Sequence, residues 1–390
     1  MTRRVLRTSR SSAHPSTFPR QRTLSAGLRT RSVGRSGTVA ARQVIDPGEN
    51  PVCTTPETPI LLANLTWKPA AELNQREWVL GFDERPETSF YRGYRVAAVE
   101  ALTARRARTI TLGTAFGEVT CTRDSLWLEK NRFRKAARIR ELRLATAPVR
   151  PPIFSEAYKM GYLRGAMAGD GTFSRAPTQV RAQLRVCDAS FAARFSRFGR
   201  DLGFEGFREF TYNAGYTLRP LYGVRTSRVR EVSLLDPYLE PNPTPEYVRG
   251  WLAGAFDAEG SGTDRKLRIF QRTSNGRFWE TATRFLTNLG VSYSASHRAR
   301  RDGERGQSMG SLRLGRVANQ YRFIAMTKPV LERKWVHLLS GKLKGAVQAA
   351  PVLSRRESGL RTVIGIKTST GTLIAGGFLA HDCQAVTVPR

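Results

Sequence analysis

The sequence predicts an α+β protein in which a duplicated unit of helices and strands interrupts a small all-β unit. Three observations carry this prediction: an internal repeat, an alternating strand after each copy, and short apolar runs with turn residues on both sides of the repeated region. A chain of 390 residues also exceeds what one hydrophobic core usually serves. We therefore expect more than one folding unit.

The repeat is visible in two stretches of fourteen residues. Residues 158–171 read YKMGYLRGAMAGDG and residues 247–260 read YVRGWLAGAFDAEG, with six identities and no gap. Small residues recur every fourth position in both copies, and on a helix these positions share one face. Each interior glycine costs a helix about 1 kcal/mol relative to alanine. Such a cost needs a compensating contact, so we predict that the two glycine-faced helices pack directly against each other.

Each copy of the repeat ends in an acid followed by glycine, Asp170 in the first and Glu259 in the second. The glycines are expected to permit a tight exit from each helix. If the helices pack around a pseudo-twofold axis, the two carboxylates become neighbours and repel unless a cation lies between them. Mg²⁺, or Mn²⁺ in its place, is the cation that suits phosphodiester cleavage. The alternative is a glycine-packed core whose terminal acids are only solvated.

Strongly alternating segments follow each acid. In both, basic or amide side chains occupy one face and apolar side chains the other, which suits a half-buried strand lying in a DNA major groove. The side chains predicted to contact DNA are Gln179, Arg181, Gln183, Arg185, Lys266, Arg268 and Arg272. With the helical stretches 189–202 and 275–289, each unit is predicted to run helix–strand–helix–strand–strand–helix.

The charge balance points to a polyanionic partner. The chain holds 64 Lys and Arg against 32 Asp and Glu, a net charge of +32. A basic N-terminal tail accounts for only part of this, because residues 154–340 alone hold 30 basic and 17 acidic residues. Double-stranded DNA is the predicted partner. The sequence has no apolar stretch typical of a membrane span, so we expect no membrane association. The protein is further expected to be monomeric, cytoplasmic and associated with the nucleoid.

The four cysteines do not indicate a metal site or a disulfide framework. They are widely dispersed, no pair has CxxC spacing, and the chain has only four histidines. Individual cysteines can still act as nucleophiles.

The repeated segments YLRGAMAGDG and VRGWLAGAFDAEG resemble the paired motifs of the LAGLIDADG homing endonucleases. The resemblance implies a saddle of β-strands on DNA and divalent metal held by the last acid of each motif, Asp170 and Glu259. It also implies that Gln and Lys side chains near the metals assist cleavage. Gln183, Gln271 and Lys328 are weak candidates for this role.

The flanking segments resemble the terminal blocks of an intein, whose splicing domain is the Hint fold. CTTPETPILLANLTWKPAAEL begins at Cys53, and VIGIKTSTGTLIAGGFLAHDC ends at Cys383. The resemblance implies that Cys53 performs the first acyl shift, that His381 assists cleavage after Asp382, and that Cys383 is the second nucleophile. Thr122 begins the TxxH motif of the family, but Ser125 replaces its histidine and Asp382 replaces the usual asparagine. We therefore predict slow or absent splicing.

Together the two resemblances divide the chain into six predicted segments. Residues 1–52 are predicted to be a basic, disordered segment and a possible N-extein, and residues 383–390 a C-extein remnant. The splicing domain is predicted in two parts, at 53–150 and 360–382. Between these parts lie an endonuclease at 154–340, with repeats at about 154–240 and 243–340, and a linker at 341–359. An organellar transit peptide is the open alternative for residues 1–52.

The predicted function is site-specific, Mg²⁺-dependent cleavage of double-stranded DNA by an enzyme that an intein-like element carries. Two alternatives stay open: a DNA-binding regulator that keeps the fold without catalysis, and an RNA-splicing maturase. Retention of both Asp170 and Glu259 argues against a pure binder, because two anionic groups facing phosphates weaken binding.

Overall fold

The computed structural model describes residues 53–85, 92–176, 179–212, 220–263, 266–298, 308–341, 343 and 347–382. The predictions for residues 1–52 and for 383–390, including Cys383, fall outside these ranges. Among the described residues no helix is long and apolar enough to cross a membrane.

Strands make up the two flanks of the described chain. The N-terminal flank contains β1 (Cys53–Thr54), β2 (Pro59–Leu61), β3 (Trp67–Pro69), β4 (Trp78–Phe82), β5 (Tyr94–Thr114), β6 (Gly117–Thr122), β7 (Leu126–Glu129), β8 (Arg132–Lys135) and β9 (Glu141–Leu144).

The central region contains two similar series of helices and strands. The first series is α1 (Glu156–Asp170), β10 (Gly171–Ala176), β11 (Gln179–Val186), α2 (Ala189–Asp201), β12 (Arg208–Tyr212), β13 (Leu221–Thr226) and α3 (Val229–Leu234). The second series is α4 (Pro245–Glu259), β14 (Gly260–Thr263), β15 (Lys266–Arg272), α5 (Gly276–Asn288), β16 (Tyr293–Arg298), β17 (Met309–Leu314) and α6 (Val317–Thr327).

The C-terminal flank returns to strands. It contains β18 (Gln348–Pro351), β19 (Ser354–Thr368), β20 (Thr372–Ala375) and β21 (Phe378–His381). The predicted linker at 341–359 is therefore wrong in part, since β18 and the start of β19 lie within it. This segment has no apolar alternation; it becomes a strand because β9 and β5 offer it open edges to pair with.

The strands of the two flanks combine into two antiparallel sheets. A five-stranded sheet has the order β19-β1-β6-β5-β4. The larger sheet has the order β18-β9-β21-β20-β2-β3, with β7 attached to β21 and β8 attached to β7. Each sheet thus contains strands from both ends of the chain. The β-rich unit is completed only when both flanks are present, with the central region inserted between them.

Each central series forms a four-stranded antiparallel sheet, in the orders β10-β11-β13-β12 and β14-β15-β17-β16. The unit is therefore helix–strand–strand–helix–strand–strand–helix, and the predicted unit lacked its first strand. The missing strands β10 and β14 are short and have no alternating apolar residues. They form because each helix leads directly into a hairpin with the next strand.

The pair α1 and α4 packs along its glycine faces, as the repeat predicts. A Cβ atom at Gly161 or Gly165 would overlap the backbone carbonyls of Tyr247 or Trp251. The reciprocal glycines of α4, Gly250 and Gly254, face the carbonyls of Tyr158 and Tyr162 in the same way. Backbone-to-backbone contact of this kind compensates the helix for its glycines, and its reciprocity is that of a pseudo-twofold axis.

Two hydrophobic cores lie on either side of this helix pair. The first, between α1, α2 and β11, is rich in phenylalanine, with Phe191, Phe195 and Phe198 fully buried. The second surrounds α4, β15, α5 and α6 and continues without a break into the β-rich unit, where Phe82 and Tyr94 belong to it. The second repeat therefore shares its core with the flanks.

Candidate metal and nucleic-acid site

The two acids that end the repeats occupy equivalent positions because both helices begin and end in the same way. The Ser155 hydroxyl accepts a hydrogen bond from the Tyr158 amide at 3.3 Å, and the Thr244 hydroxyl accepts one from the Tyr247 amide at 3.2 Å. From these N-caps each helix runs 15 residues to its acid. Equal lengths and the shared glycine face bring both carboxylates to the same end of the pair.

Packing at this end places Glu259 against the last turn of α1. A Cβ atom at Gly169, next to Asp170, would lie 2.5 Å from the Ala258 Cβ and 2.9 Å from the Glu259 Cγ. Burial, and then the Asp170 charge, raise the pKa of Glu259 to about 7. The mutual repulsion expected of neighbouring carboxylates is thus present, and it is what a bound cation would relieve.

Asp170 keeps an exposed edge, but the protein on its inner side desolvates its carboxylate. This desolvation raises the pKa of Asp170, the nearby ammonium of Lys334 lowers it, and Asp188 raises it further. The two acids are therefore not equivalent. Asp170 is the more accessible to solvent, and Glu259 is the more strongly disfavoured as an anion.

The glycines that follow the acids have a different role from the expected one. Gly171 and Gly260 are extended, with φ of −76° and −72°, and neither adopts the left-handed conformation of a helix C-cap. A Cβ atom at either position would overlap the helix's own last turn, at Met167 or Phe256. Glycine is needed here so that the strand can leave close against the helix end.

Gln271 joins the site in the second repeat. Its side-chain Nε2 donates a hydrogen bond to the Glu259 Oε1 at 2.9 Å. Its side-chain Oε1 accepts a hydrogen bond from the Arg272 backbone N–H at 2.8 Å. Strand register makes Val186 the equivalent residue in the first repeat, because Gly171 pairs with Leu184 as Gly260 pairs with Ile269. Asp170 therefore has no amide partner at this position.

The other two weaker candidates are elsewhere. Gln183 lies on the outer face of β11, and the Lys328 ammonium donates to the Asn64 carbonyl at 3.0 Å, where the second repeat meets the β-rich unit. Its burial there lowers the pKa of Lys328 to about 8. Among the described residues, Gln271 hydrogen-bonds to Glu259, whereas the side chains of Gln183 and Lys328 form no hydrogen bond or ion pair with either acid.

Lys334 also lies at this site, although it was not among the predicted site residues. Its buried ammonium donates to the carbonyls of Phe256, Asp257 and Ala258 at 3.2, 2.6 and 3.1 Å, which caps the C-terminal end of α4 directly beside Glu259. Desolvation lowers the pKa of Lys334, and the acids around it, Asp257 and Asp170 among them, raise it. No sequence signal marks this residue, since it lies in a short 3-10 turn 75 positions after Glu259.

The second motif contains a further acid that holds the structure together. Asp257 is fully buried and accepts hydrogen bonds from the Tyr162 hydroxyl at 2.6 Å and from the amides of Val330 and Leu331, both at 2.9 Å. It joins α1 to the turn that carries Lys334. Its oxygens are engaged by these donors, so we assign it to positioning and not to the metal.

The predicted strand faces have the expected orientation. In β11 the even-numbered residues Ala182, Leu184 and Val186 are buried, and the predicted contact residues Gln179, Arg181, Gln183 and Arg185 lie on the opposite face. In β15 Leu267 and Ile269 are buried, and Lys266, Arg268 and Arg272 lie opposite them.

Two further arginines extend these outer faces. Arg225 of β13 is directly opposite Gln183, and Arg313 of β17 is directly opposite Arg268, so the two sheets place an exposed arginine at matching points. Their strands each show a single basic residue in a weak alternation, which is why the sequence did not indicate them. Each sheet thus offers a broad cationic face suited to phosphates and base edges.

The residues at the helix ends fit a magnesium ion of the kind that shares its shell with phosphate. Two carboxylates and one amide converge there, and within the described ranges no group of three or more His, Cys, Asp or Glu could enclose a metal alone. Mg²⁺ commonly takes one or two carboxylates and completes its shell with water and substrate phosphates. A site with few protein ligands leaves coordination positions for water and phosphate, as Mg²⁺ requires.

Comparison with solved structures gives matches of low identity and low TM-score. Mesophilic variants of the homing endonuclease I-DmoI match with 17% identity and a TM-score of 0.36 over 44% of this chain and 97% of theirs. I-DmoI in complex with DNA and Mn matches with 16% identity and a TM-score of 0.35 over 45% and 100%.

A second group of neighbours is DUF199/WhiA. The full-length protein from Thermatoga maritima matches with 10% identity and a TM-score of 0.36 over 48% of this chain and 61% of that one. The N-terminal LAGLIDADG domain of DUF199/WhiA matches with 11% identity and a TM-score of 0.33 over 46% and 87%. No protein-family model and no curated protein matches the chain.

The residues predicted for splicing lie in the β-rich unit. Cys53 is fully buried in β1, where it pairs with Gly365 of β19. The Ser125 hydroxyl donates to the Cys53 carbonyl at 3.3 Å and lies 2.8 Å from the Thr122 hydroxyl. Burial raises the pKa of the Cys53 thiol, which the Arg105 guanidinium at 3.7 Å lowers only in part. This thiol is mostly protonated at neutral pH.

His381 and Asp382 lie at the end of β21. The His381 Nδ1 is 3.1 Å from the Asp382 carbonyl oxygen, and its Nε2 is 3.4 Å from Glu84. Asp382 Oδ2 accepts hydrogen bonds from the amide and the hydroxyl of Thr368 at 2.7 and 3.2 Å, and burial raises the pKa of this carboxyl. Gly365 and Thr368, the partners of Cys53 and Asp382, are three residues apart on β19, or roughly 10 Å along the strand.

Proposed function

We propose that this protein is a site-specific, divalent-metal-dependent double-strand DNA endonuclease carried by an intein-like splicing element. The observation that supports it most is the meeting of Asp170 and Glu259 at one end of the glycine-packed helix pair. This end lies beside two sheets whose outer faces carry arginine, lysine and glutamine. Burial and the Asp170 charge raise the pKa of Glu259 to about 7, and a cation bound beside it would stabilise its ionised form.

In this proposal the two acids hold the metal and the protein arranges what surrounds it. A bound Mg²⁺ would polarise the scissile phosphate and lower the pKa of a water molecule. Gln271 orients the Glu259 carboxylate through its 2.9 Å hydrogen bond, and Lys334 supplies a fixed positive charge at the end of α4. The strand faces hold the duplex in register so that each strand meets one acid.

Cutting of DNA separates this function from its alternatives. The test uses a plasmid library that carries candidate insertion sites, with purified protein and Mg²⁺ or EDTA. We expect Mg²⁺-dependent double-strand breaks that Asp170→Asn and Glu259→Gln abolish without loss of DNA binding. Asp201→Asn serves as the matched control, since its carboxylate lies on α2 and pairs with Lys159 at 2.9 Å.

Two results would decide against the nuclease. Binding of DNA without cutting, by the unaltered protein and with every metal tried, would assign it to the regulators. A requirement for RNA in place of duplex DNA would assign it to the maturases.

We further propose that splicing is impaired in this chain. A buried, protonated Cys53 thiol is a weak nucleophile, and Ser125 cannot exchange protons at neutral pH as a histidine can. The Asp382 carboxyl is tied to Thr368 and lacks the amide nitrogen that closes the ring in the intein family.

Intact-protein mass measured over time tests this second proposal. The unaltered chain is expected to remain at its full mass, and the double variant Ser125→His with Asp382→Asn to release fragments faster. Rapid release of residues 53–382 from the unaltered chain, with joined flanks, would contradict it.

A further inference from the structure

A second cationic surface lies in the β-rich unit, on strands that the proposed cleavage does not use. Residues 104–108 of β5 read ARRAR, and they pair with residues 360–364 of β19, which read LRTVI. We call this two-stranded segment the arginine ribbon. Arg105, Arg106, Arg108 and Arg361 are all exposed on it.

Strand register distributes these arginines over both faces of the ribbon. Arg106 and Arg108 are two residues apart on one strand and so share a face, opposite Thr362 and Leu360. Arg361 is opposite Ala107 and shares the other face with Arg105. A register shift between Glu357 and Gly359, where Gly359 has φ of +74°, marks one end of the ribbon. Such a bulge increases local twist.

Acids do not neutralise this cluster. Within the described part of the chain, Arg105, Arg106, Arg108 and Arg361 form no ion pair with a carboxylate. The acids closest in sequence have other partners, because Glu100 pairs with Lys367 at 3.4 Å, Glu118 pairs with Arg356 at 2.5 Å, and Glu357 pairs with Arg123. Exposed arginines placed side by side without counter-charges repel one another, and an anionic partner would remove that repulsion.

The shape of the ribbon selects duplex DNA among anionic partners. Two paired strands about 4.8 Å apart are narrow enough to enter a major groove about 12 Å wide. Besides its arginines, the ribbon carries the small residues Ala104, Ala107 and Thr362 and the aliphatic residues Leu360, Val363 and Ile364. Single-stranded nucleic acid is bound chiefly by stacking on aromatic rings. The sequences ARRAR and LRTVI contain no aromatic residue.

We propose that the arginine ribbon is a second DNA-binding surface, which contacts the duplex outside the cationic faces of the two central sheets. This inference rests on the proposed DNA binding but not on cleavage. It assigns to the β-rich unit a binding role that is independent of splicing chemistry.

The salt dependence of DNA affinity tests the ribbon. The full chain is titrated with a long duplex of arbitrary sequence without divalent metal, and with single-stranded DNA and RNA of the same sequence. The double variant Arg106→Gln with Arg108→Gln removes two ribbon charges. The control, Arg123→Gln with Arg356→Gln, removes the same charge from two ion-paired positions, one in β19 and one directly after β6.

We expect the ribbon variant to lower duplex affinity and to reduce the slope of log affinity against log salt by about 2, since each phosphate contact contributes about 0.9. The control should keep the unaltered slope. An equal change in both variants would overturn the ribbon and indicate a general charge effect. A change confined to single-stranded DNA or RNA would overturn it as well.

Failure of the proposed function is distinguishable from failure of the ribbon. If the unaltered chain binds no duplex, the proposed function falls. If it binds the duplex and the ribbon variant keeps affinity and slope, only the ribbon falls. Equal melting temperatures for all three proteins confirm that each comparison is between folded chains.

Discussion

At the scale of single residues, the two acids of the site differ more than their symmetry suggests. Glu259 accepts from Gln271 and is surrounded by protein, whereas Asp170 keeps an exposed edge and has Val186 where its counterpart has an amide. The consequence is electrostatic. Burial and the Asp170 charge oppose ionisation of Glu259 and raise its pKa to about 7.

Glu259 should make the metal-free protein less stable as pH rises. Its folded pKa of about 7 exceeds its ordinary value of 4.5, so between these values the folded state holds a proton that the unfolded state has lost. Stability is greatest below about pH 4.5 and falls up to about pH 7. Glu259→Gln should therefore stabilise the metal-free protein at pH 8 by about 1–3 kcal/mol and have little effect at pH 4.5.

Urea unfolding at both pH values measures this effect. Glu205→Gln is the control, because the Glu205 carboxylate is 76% exposed and pairs only on the surface. Added Mg²⁺ should stabilise the unaltered protein above pH 7 and leave Glu259→Gln unchanged. Equal stability of the variant and the unaltered protein at pH 8 would show that the carboxylate is better solvated than its surroundings indicate.

Lys334 should contribute both stability and a shift in ionisation. Its ammonium caps three carbonyls at the end of α4, and Lys334→Met leaves these acceptors without their donor. We expect a loss of about 1–3 kcal/mol in the free energy of unfolding. Since Lys334 also lowers the pKa of Asp170 and of Glu259, the pH profile of cleavage should move to higher pH.

The neighbouring Arg333 is a suitable control. Its guanidinium is 61% exposed and pairs with Asp188 at 2.6 Å, so Arg333→Met should change stability by less than about 1 kcal/mol. A stability loss in Lys334→Met with an unmoved pH profile would restrict Lys334 to a structural role.

At the scale of secondary-structure elements, the helix pair α1 and α4 decides where the acids lie. Gly165 should not tolerate alanine, although alanine normally favours a helix by about 1 kcal/mol. Its Cβ would overlap the Trp251 carbonyl of α4, and the backbone cannot yield without separating the helices. We expect Gly165→Ala to destabilise the protein by several kcal/mol, within the range of core overpacking.

Gly276→Ala is the matched control at the start of α5. No atom lies within 4 Å of the Cβ that it would add, so this change should be neutral or slightly stabilising. Thermal unfolding of both variants measures the difference. If Gly165→Ala were as stable as Gly276→Ala, the helices would not be in backbone contact and the acids would not be neighbours.

The helix pair also shows how far sequence reasoning reaches. Glycine does not favour a helix by itself, but small residues at every fourth position of a helix share one face and allow a partner to approach closely. The packing of α1 against α4, which brings the two acids to one end, was therefore predictable. The strands β10 and β14 were not, since GTFSRA and GSGT carry no period of their own and pair only because a hairpin forces them together.

Lys334 and the arginines on the neighbouring strands were likewise not predictable from local sequence patterns. Lys334 reaches α4 from a turn 75 residues away, and Arg225 meets Gln183 only through sheet register. Long-range contacts of this kind leave no local pattern in a sequence. Gln271 could be suspected because it is the one amide on the inward face of an otherwise apolar alternation.

At the scale of the whole molecule, the two repeats are supported differently. The described residues of the phenylalanine-rich core all belong to the central region, whereas the core of the second repeat continues into the β-rich unit. Tyr94 of β5 contacts the ring of Tyr321 in α6 at 5.3 Å between centroids, and the Tyr94 amide donates to the Gly341 carbonyl at 2.7 Å. The Thr146 hydroxyl donates to the Ala318 carbonyl at 3.1 Å.

Residues 154–340, expressed alone, should therefore lose order first in the second repeat. Removal of the flanks exposes the apolar side of α6, and exposed apolar area costs about 25 cal/mol per Å². Hydrogen exchange followed by mass spectrometry compares this fragment with the full chain, with α2 as the internal reference. We expect faster exchange in α6 of the fragment and unchanged exchange in α2, because local stability follows local burial. Equal protection of α6 in both proteins would mean that the central region folds independently of the β-rich unit.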